Sequence, residues 1–278
     1  MAEKIIREPV VAGMFYPGSI TSLTQQINQF LNEAPDFDIK PKKVYGIISP
    51  HAGYIYSGIV AAAGYKFLKN NPAKDIIITA PSHKEYFLGA SIFPGDYYQT
   101  PLGLVKVNKE IGTFLAENHK YIDLSYSGHR EEHSLEVQLP FLQVIFNNDF
   151  NIVPIVIGEH DLNVINELST ALQEASKNHN FIVIASSDLS HYHSYDIAVK
   201  IDRLLINKLE KYNLEELEED FIRNNLEACG IAPILTLLKY AKLSGSPVFK
   251  TLDYKNSGDT SGTKSQVVGY LSAVIYEP

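Results

Sequence analysis

The stretch Val44-Tyr45-Gly46-Ile47-Ile48-Ser49-Pro50-His51-Ala52-Gly53-Tyr54 decides how the rest of the chain is read. Val44–Ile48 is a short apolar run rich in β-branched residues, the pattern of a strand buried on both faces. It ends at Ser49-Pro50, delivers a histidine, and gives way through Gly53 to a segment with helical spacing, Gly58–Leu68. A strand, a polar loop and a helix in that order form one unit of an α/β fold. The unit recurs outward in both directions. Ile76–Ile78, Ile152–Ile157, Phe181–Ile184 and Val267–Ile275 read as further strands. Ile20–Leu31, Lys109–Glu117, Ser134–Phe146, Leu162–Ser176, Ile197–Lys211, Leu214–Asn224 and Ala232–Leu243 read as helices. Alternating strands and helices predict the α/β class. With no internal repeat and no Ser/Pro/Gly-rich linker, one domain is expected over residues 1–278.

Composition narrows the function. The 278 residues are 45% hydrophobic and 20% charged, which fits a large packed core and excludes disordered and disulfide-scaffold classes. Lys+Arg 24 against Asp+Glu 32 leaves a net charge of −8, so no global field favours nucleic acid or an anionic membrane surface. The single cysteine, Cys229, rules out an internal disulfide and a cysteine-only zinc site, as expected of a reducing cytoplasm. The first residues show no signal-peptide apolar run, and no segment approaches the ~18 uninterrupted apolar residues of a membrane span. The acidic run Glu215–Asp220 reads as the solvated face of a helix.

Three predicted strands end alike. Val44–Ile48 leads to His51, Ile76–Ile78 leads through Pro81-Ser82 to His83, and Phe181–Ile184 leads through Ser186-Ser187 to Asp188 and His191. Ligands of open α/β sheets bind outside the carboxyl ends of the strands, so three such loops can converge. The prolines beside His51 and His83 bias the backbone toward extended geometry and give each ring a defined exit. Two neutral imidazoles are a good start on a transition-metal site. A third ligand is then needed, and Asp188, one of Glu131, Glu132 and Glu136, or Cys229 would serve. Any of the histidines taken alone is more often a hydrogen-bonded loop residue than a ligand, and a free cysteine is most often a small buried hydrophobe.

His129-Arg130-Glu131-Glu132-His133-Ser134-Leu135-Glu136 crowds titratable groups ahead of an amphipathic run. At helical spacing His133 and Glu136 would share a face, either to support a site or to place acidic groups against a helix dipole. Nucleotide-binding glycine loops, a nucleophile elbow and the HExxH pattern are absent from the sequence. Gly258-Asp259-Thr260-Ser261-Gly262 reads as a flexible loop at the pocket rim.

The motifs Ala12-Gly13-Met14-Phe15-Tyr16-Pro17, Pro50-His51-Ala52-Gly53-Tyr54, Pro81-Ser82-His83, Thr100-Pro101-Leu102-Gly103, Glu132-His133-Ser134-Leu135-Glu136 and Ser186-Ser187-Asp188-Leu189-Ser190-His191 occur in this order. Together they resemble the Memo family, in microbes also named AmmeMemoRadiSam system protein B, from about Arg7 to Tyr276. The resemblance implies a mixed central sheet between helical layers, as in the class III extradiol dioxygenases. It implies His51, His83 and Cys229 as metal ligands, with Asp188 and His191 as pocket residues beside them. Iron or copper is the expected metal and zinc the alternative. Relatives in the eukaryotic branch are described as metal-binding redox proteins and as adaptors for phosphotyrosine peptides. The microbial name implies a radical-SAM partner in the same pathway.

These features carry three functional readings. The first is a metal-dependent oxidoreductase acting on a small molecule, with His191 as acid/base and Asp188 orienting an imidazole or polarising water. The second is a non-catalytic module that binds a peptide or ligand in the same pocket. The scarcity of Lys and Arg in the motifs, Arg130 apart, argues against tight phosphopeptide binding. The third is hydrolysis by Cys229 or by zinc-activated water.

Overall fold

Side chains of the central strands alternate between two apolar layers, as a period of two requires when both faces of a sheet are covered. Ile47, Ile76, Ile78, Ile152, Ile182 and Ile184 enter one layer, and Ile48, Ile77, Val153, Ile155 and Val183 the other. This computed structural model describes residues 4–117, 119–159 and 161–278. In chain order its strands are β1 (Ile6–Arg7), β2 (Lys43–Ser49), β3 (Asp75–Pro81), β4 (Ala90–Ile92), β5 (Tyr97–Thr100) and β6 (Gly103–Val107). They continue as β7 (Ile122–Leu124), β8 (Asn151–Ile157), β9 (Phe181–Ser186), β10 (Asp188–His193), β11 (Val248–Asn256) and β12 (Val267–Glu277). Helices α1 (Ile20–Glu33), α2 (Tyr54–Leu68), α3 (Lys109–Ala116) and α4 (Leu139–Ile145) precede α5 (Leu162–Ala175), α6 (Tyr195–Lys211), α7 (Leu214–Ile222), α8 (Ile231–Ser244) and α9 (Ser257–Ser261).

The strand order is β1-β5-β6-β8-β3-β9-β2-β12-β10, with β11 on β12, and β4 on β8 and β7. Its centre, β6-β8-β3-β9-β2, is parallel. β12 runs antiparallel to β2, so the sheet is mixed as expected. Residues of α1, α2 and α4 pack on one face, and residues of α3, α5, α6, α7 and α8 on the other. Gly46 is where β2 and β9 meet most tightly. A Cβ there would lie 2.1 Å from the carbonyl oxygen of Val183, so the position admits only glycine. The register Ser49 to Ser186 and Thr79 to Ala185 then brings the carboxyl ends of β2, β3 and β9 to one edge.

The five predicted strands and the first-order helix pattern are present, with five differences. Helix α2 starts at Tyr54, four residues before the apolar spacing becomes regular. Ser134–Phe146 is not one helix: a 3-10 turn at Glu136–Gln138 precedes α4, whose first turn holds Pro140. His133 lies ahead of that turn and shares no helical face with Glu136. Gly258–Gly262 is not a loop throughout, because Asn256 and Asp259 form a reciprocal capping box that closes α9. The remaining strands escaped the apolar-run reading because β1, β4 and β7 are only two or three residues long, and β11 is half polar with exposed positions. The acidic run is more than a solvated face: Asp220 pairs with Lys208 of α6 and Glu218 with Lys239 of α8.

A buried polar cluster ties the amino-terminal segment to the histidine-rich stretch. Arg7 donates to the carboxylate of Glu136 and, at 3.0 Å and 2.5 Å, to the carbonyls of His129 and Glu132. Glu136 also accepts from the N–H groups of Val10 (2.9 Å) and Val11 (3.1 Å) and from the Tyr16 hydroxyl at 2.5 Å. Removing one partner of a buried pair leaves the other charge uncompensated, at about 3–5 kcal/mol. Arg7→Leu is therefore expected to lose stability on that scale, read as a lower urea midpoint at unchanged m-value.

His129 is enclosed and neutral. Its Nε2 lies 3.0 Å from the Ser91 carbonyl, which can only accept, so Nε2 carries the proton and Nδ1 accepts from the Tyr98 hydroxyl at 2.7 Å. Burial holds its pKa down at about 3, against 6.5 for an ordinary histidine. Between those values the unfolded chain binds a proton here and the folded chain does not. Stability is therefore full above about pH 6.5 and falls as the pH drops below it, by at most about 1.4 kcal/mol per unit for this residue. His129→Gln keeps a donor and an acceptor but does not titrate. Urea unfolding between pH 7.5 and 5 is expected to show a shallower slope in that variant.

Candidate metal centre

Three imidazoles meet at the edge formed by the ends of β2 and β3. His51 follows β2 by two residues, His83 follows β3 by two, and His133 comes from the stretch that Arg7 fastens below them. Ring centroids lie 5.1 Å apart for His51 and His83, 5.5 Å for His51 and His133, and 4.8 Å for His83 and His133. One ring nitrogen from each falls within 4.8 Å of the others, a spacing at which the three can hold a metal ion.

Glu132 organises two of the rings. Its carboxylate accepts from the backbone N–H of His83 (2.5 Å), His133 (3.0 Å) and Ser134 (3.0 Å), and from His83 Nδ1 at 2.8 Å. His133 Nδ1 lies 3.2 Å from the same oxygen, Oε1. An ionised carboxylate only accepts, so Nδ1 of His83 carries a proton and Nε2 is the ring nitrogen left to meet a metal. A carboxylate behind a ligand histidine is the usual support of a metal site. Burial alone would raise the Glu132 pKa, but the hydrogen bonds from His83 and Ser134 and the His83 ring outweigh it and bring it to about 2.

Two of the rings, His51 and His133, are held neutral. Burial, reinforced by His83, His133 and His191, keeps His51 well below the ordinary histidine value. Burial brings His133 to about 4 despite the adjacent Glu132 carboxylate. Neutral imidazole is the ligand form.

The other expected residues stand close by. Asp188 opens β10, accepts from the His51 N–H at 2.8 Å, and lies 4.0 Å from His51 Nε2. Burial raises its pKa to about 7, against the pull of the N–H groups of His51 and Ala52. Cys229 Sγ is 3.1 Å from His51 Nε2 and accepts from the Asp188 N–H at 3.3 Å. Burial, then the Asp188 charge, push its thiol pKa up, so sulfur keeps its proton at neutral pH. Gly230 lets this turn dock on β9, since a Cβ there would sit 2.2 Å from the Ser186 carbonyl oxygen. His191 donates from Nδ1 to the Leu189 carbonyl at 2.8 Å, leaving Nε2 as an acceptor, and burial lowers its pKa.

His51, His83, His133, Asp188 and His191 line a cavity of ≈ 610 Å³ together with Phe15, Tyr56, Tyr192, Tyr270, Ser257, Ser261, Thr263 and Gln266. The segment after Gly258 thus reaches the cavity, as expected, though partly as α9. Among the described lining residues there is no lysine or arginine. His51, His83, Asp188, His191 and Cys229 are brought together here. His133 was legible only as support, because helical spacing placed it beside Glu136. Its position directly after Glu132 was the available signal.

Fold and site define an α/β protein with a mixed sheet and a three-imidazole centre at its carboxyl edge. Residues 7–274 match the Memo-like protein family, and the chain belongs to it. A MEMO1 family protein of Thermoplasma volcanium is 38% identical over 270 residues, covering 97% of this chain and 98% of its own. One from Saccharolobus islandicus is 39% identical, covering 96% and 98%. The crystal structure of the uncharacterized protein JW3007 from Escherichia coli K12 shares the fold at 13% identity, with a TM-score of 0.55 over 82% of this chain and 98% of that one. Among the described residues no helix is long and apolar enough to cross a membrane.

Glu132→Gln replaces one of two acceptor oxygens by a donor, which would face the His83 N–H at the Oε2 position or the His133 and Ser134 N–H groups at Oε1. The variant is expected to lose about 1–3 kcal/mol of stability and to bind Zn2+ about 10–100-fold more weakly, read by competition with a chromophoric chelator.

Proposed function

We propose that this chain is a metal-dependent oxidoreductase of a small, uncharged or weakly charged substrate, with iron or copper on His51 and His83. The carrying observation is the convergence of three imidazoles, with ring nitrogens within 4.8 Å of one another, on the wall of an open cavity. The donor set fits such a group: imidazole suits iron, copper and zinc alike. The third ligand follows from the metal's softness. His133 completes a site for Fe(II), and Cys229 completes it for Cu(I), whose affinity for thiolate offsets the cost of removing a proton from a buried thiol.

When bound, the metal supplies one-electron chemistry. The residues around it handle protons. His191 Nε2 is a free acceptor on the cavity wall and acts as general base. Asp188, with a pKa of about 7, gives or takes a proton at neutral pH and holds the His51 backbone in place. A radical-SAM partner, suggested by the family's microbial name, and action in the cytoplasm belong to this proposal, as does a single domain over the whole chain. A ligand-binding module without turnover is the second reading. The absence of lysine and arginine from the described lining speaks against an anionic peptide there.

The test is metal content by mass spectrometry on untagged protein purified without oxygen. Stoichiometric iron or copper in the wild type and its loss in His51→Ala are expected. Cys229→Ser should weaken Cu(I) binding at least tenfold and more than His191→Ala does, whereas His133→Ala should weaken Fe(II) more than Cu(I). A wild type that takes up none of iron, copper or zinc would sink the oxidoreductase reading in favour of the binding module.

A further inference from the structure

Behind His51, on the side away from the cavity, lies a closed chain of hydrogen bonds that the chemistry above does not use. His51 Nδ1 is 2.9 Å from Ser186 Oγ, at the last residue of β9. Ser186 Oγ donates to the Ser134 carbonyl at 2.7 Å and accepts from Gln138 Nε2 at 2.8 Å. Gln138 Nε2 also points at the carbonyls of Pro50 (3.1 Å) and Ser134 (3.3 Å), and its Oε1 accepts from the Tyr65 hydroxyl at 2.5 Å. The two carbonyls fix which way the amide faces, because they can only accept and so must meet its NH2 end, which leaves Oε1 to the Tyr65 hydroxyl. Every member of the chain is buried.

The bookkeeping of protons then decides the tautomer of His51. A serine hydroxyl has one proton and two lone pairs. With the proton on the Ser134 carbonyl and one lone pair taken by Gln138, the remaining lone pair can only receive a proton from His51 Nδ1. The opposite ring edge agrees. With Nε2 bare, the Cys229 thiol donates to it across 3.1 Å while the Asp188 N–H donates to sulfur across 3.3 Å. With the proton on Nε2 instead, the thiol would have to turn to the Asp188 carbonyl at 3.6 Å, and the Ser134 carbonyl would keep only the 3.3 Å bond from Gln138.

We propose that Ser186, oriented by Gln138 and Tyr65, is a positioning residue that locks His51 in the Nδ1–H form and so presents a bare Nε2 to the site. The consequence for metal uptake rests on the reading of His51 as a ligand; the tautomer does not. Histidine fixed in one tautomer needs no proton shift before it coordinates, which is the role a carboxylate fills for His83. The two rings are thus preset by different means, Glu132 for one and a neutral hydroxyl for the other.

The experiment is a long-range 1H–15N correlation spectrum of the full-length metal-free protein with 15N-labelled histidine, His51 being assigned by its absence in His51→Gln. The wild type is expected to show His51 as Nδ1–H alone. Ser186→Ala should give the Nε2–H form or a mixture, and Ser186→Thr, which keeps the hydroxyl, should restore Nδ1–H. In parallel, Zn2+ affinity from chelator competition should fall about 10–100-fold in Ser186→Ala and recover in Ser186→Thr. Nε2–H in the wild type, or an unchanged tautomer in folded Ser186→Ala, overturns the proposal. The wild-type spectrum is decisive even where the alanine variant does not fold. A tautomer that shifts as expected in a protein that binds no metal supports the positioning role and removes the metal reading alone.

Discussion

The Glu132 carboxylate is the constraint around which the site is arranged. It is buried, it stays ionised, and it is met by N–H groups from His83, His133 and Ser134 and by the His83 ring. A buried charge persists only where hydrogen bonds replace the water it lost. Here that requirement pulls the loop after β3 against the segment before α4, because neither segment alone has enough donors. Arg7 closes the arrangement from below by holding the Glu132 carbonyl while neutralising Glu136. The amino-terminal segment therefore belongs to the site mechanically although none of its charged groups reaches the cavity.

The sheet contributes position rather than chemistry. Parallel pairing of β3, β9 and β2 puts three chain exits at one edge, and the tight contact at Gly46 fixes how β2 and β9 lie against each other. From Ser186 the chain bonds sideways to His51 and, two residues on, opens β10 with Asp188. One strand end thus supports His51 from both sides: the hydroxyl of Ser186 on Nδ1, and the Asp188 carboxylate on the backbone N–H.

How far the site could be read from sequence follows from the same physics. His51, His83 and Asp188 were legible because they follow buried strands directly, and strand ends are a geometric address that periodicity reveals. His191 was legible from the same strand-end address as Asp188, and Cys229 was one of several candidate third ligands until motif resemblance singled it out. The structure puts Cys229 within 3.1 Å of His51 and leaves its part in metal binding to experiment. His133 escaped because its neighbourhood reads as the start of a helix, while the chain actually makes a 3-10 turn first and Pro140 begins the α-helix later. Gln138 and Tyr65 were invisible for a different reason. A polar residue within an apolar helix pattern carries no sign of whom it faces, and their partners lie 48 and 73 residues away in sequence. Short edge strands such as β4 and β7 were missed because three residues are too few to establish a period.

The charge balance of the site gives the metal reading its physical weight. His51 and His133 are neutral, the Cys229 thiol keeps its proton, and Asp188 is near half-protonated at neutral pH. Glu132 is the one group among these that burial has not neutralised, and among the described residues it has within ion-pair distance only the two imidazoles His83 and His133. Hydrogen bonds satisfy its oxygens, but they leave its charge uncancelled in a medium where charge is costly. Arg7, which binds the Glu132 carbonyl, spends its guanidinium on Glu136 and on backbone carbonyls. A cation held by the imidazoles on the far side of His83 would supply the missing positive charge through the ring that Glu132 already grips. On this argument the carboxylate does more than orient a ligand: its retained ionisation favours a site that recruits positive charge, and the neutral His51 and His133 rings offer lone pairs suited to a metal ion.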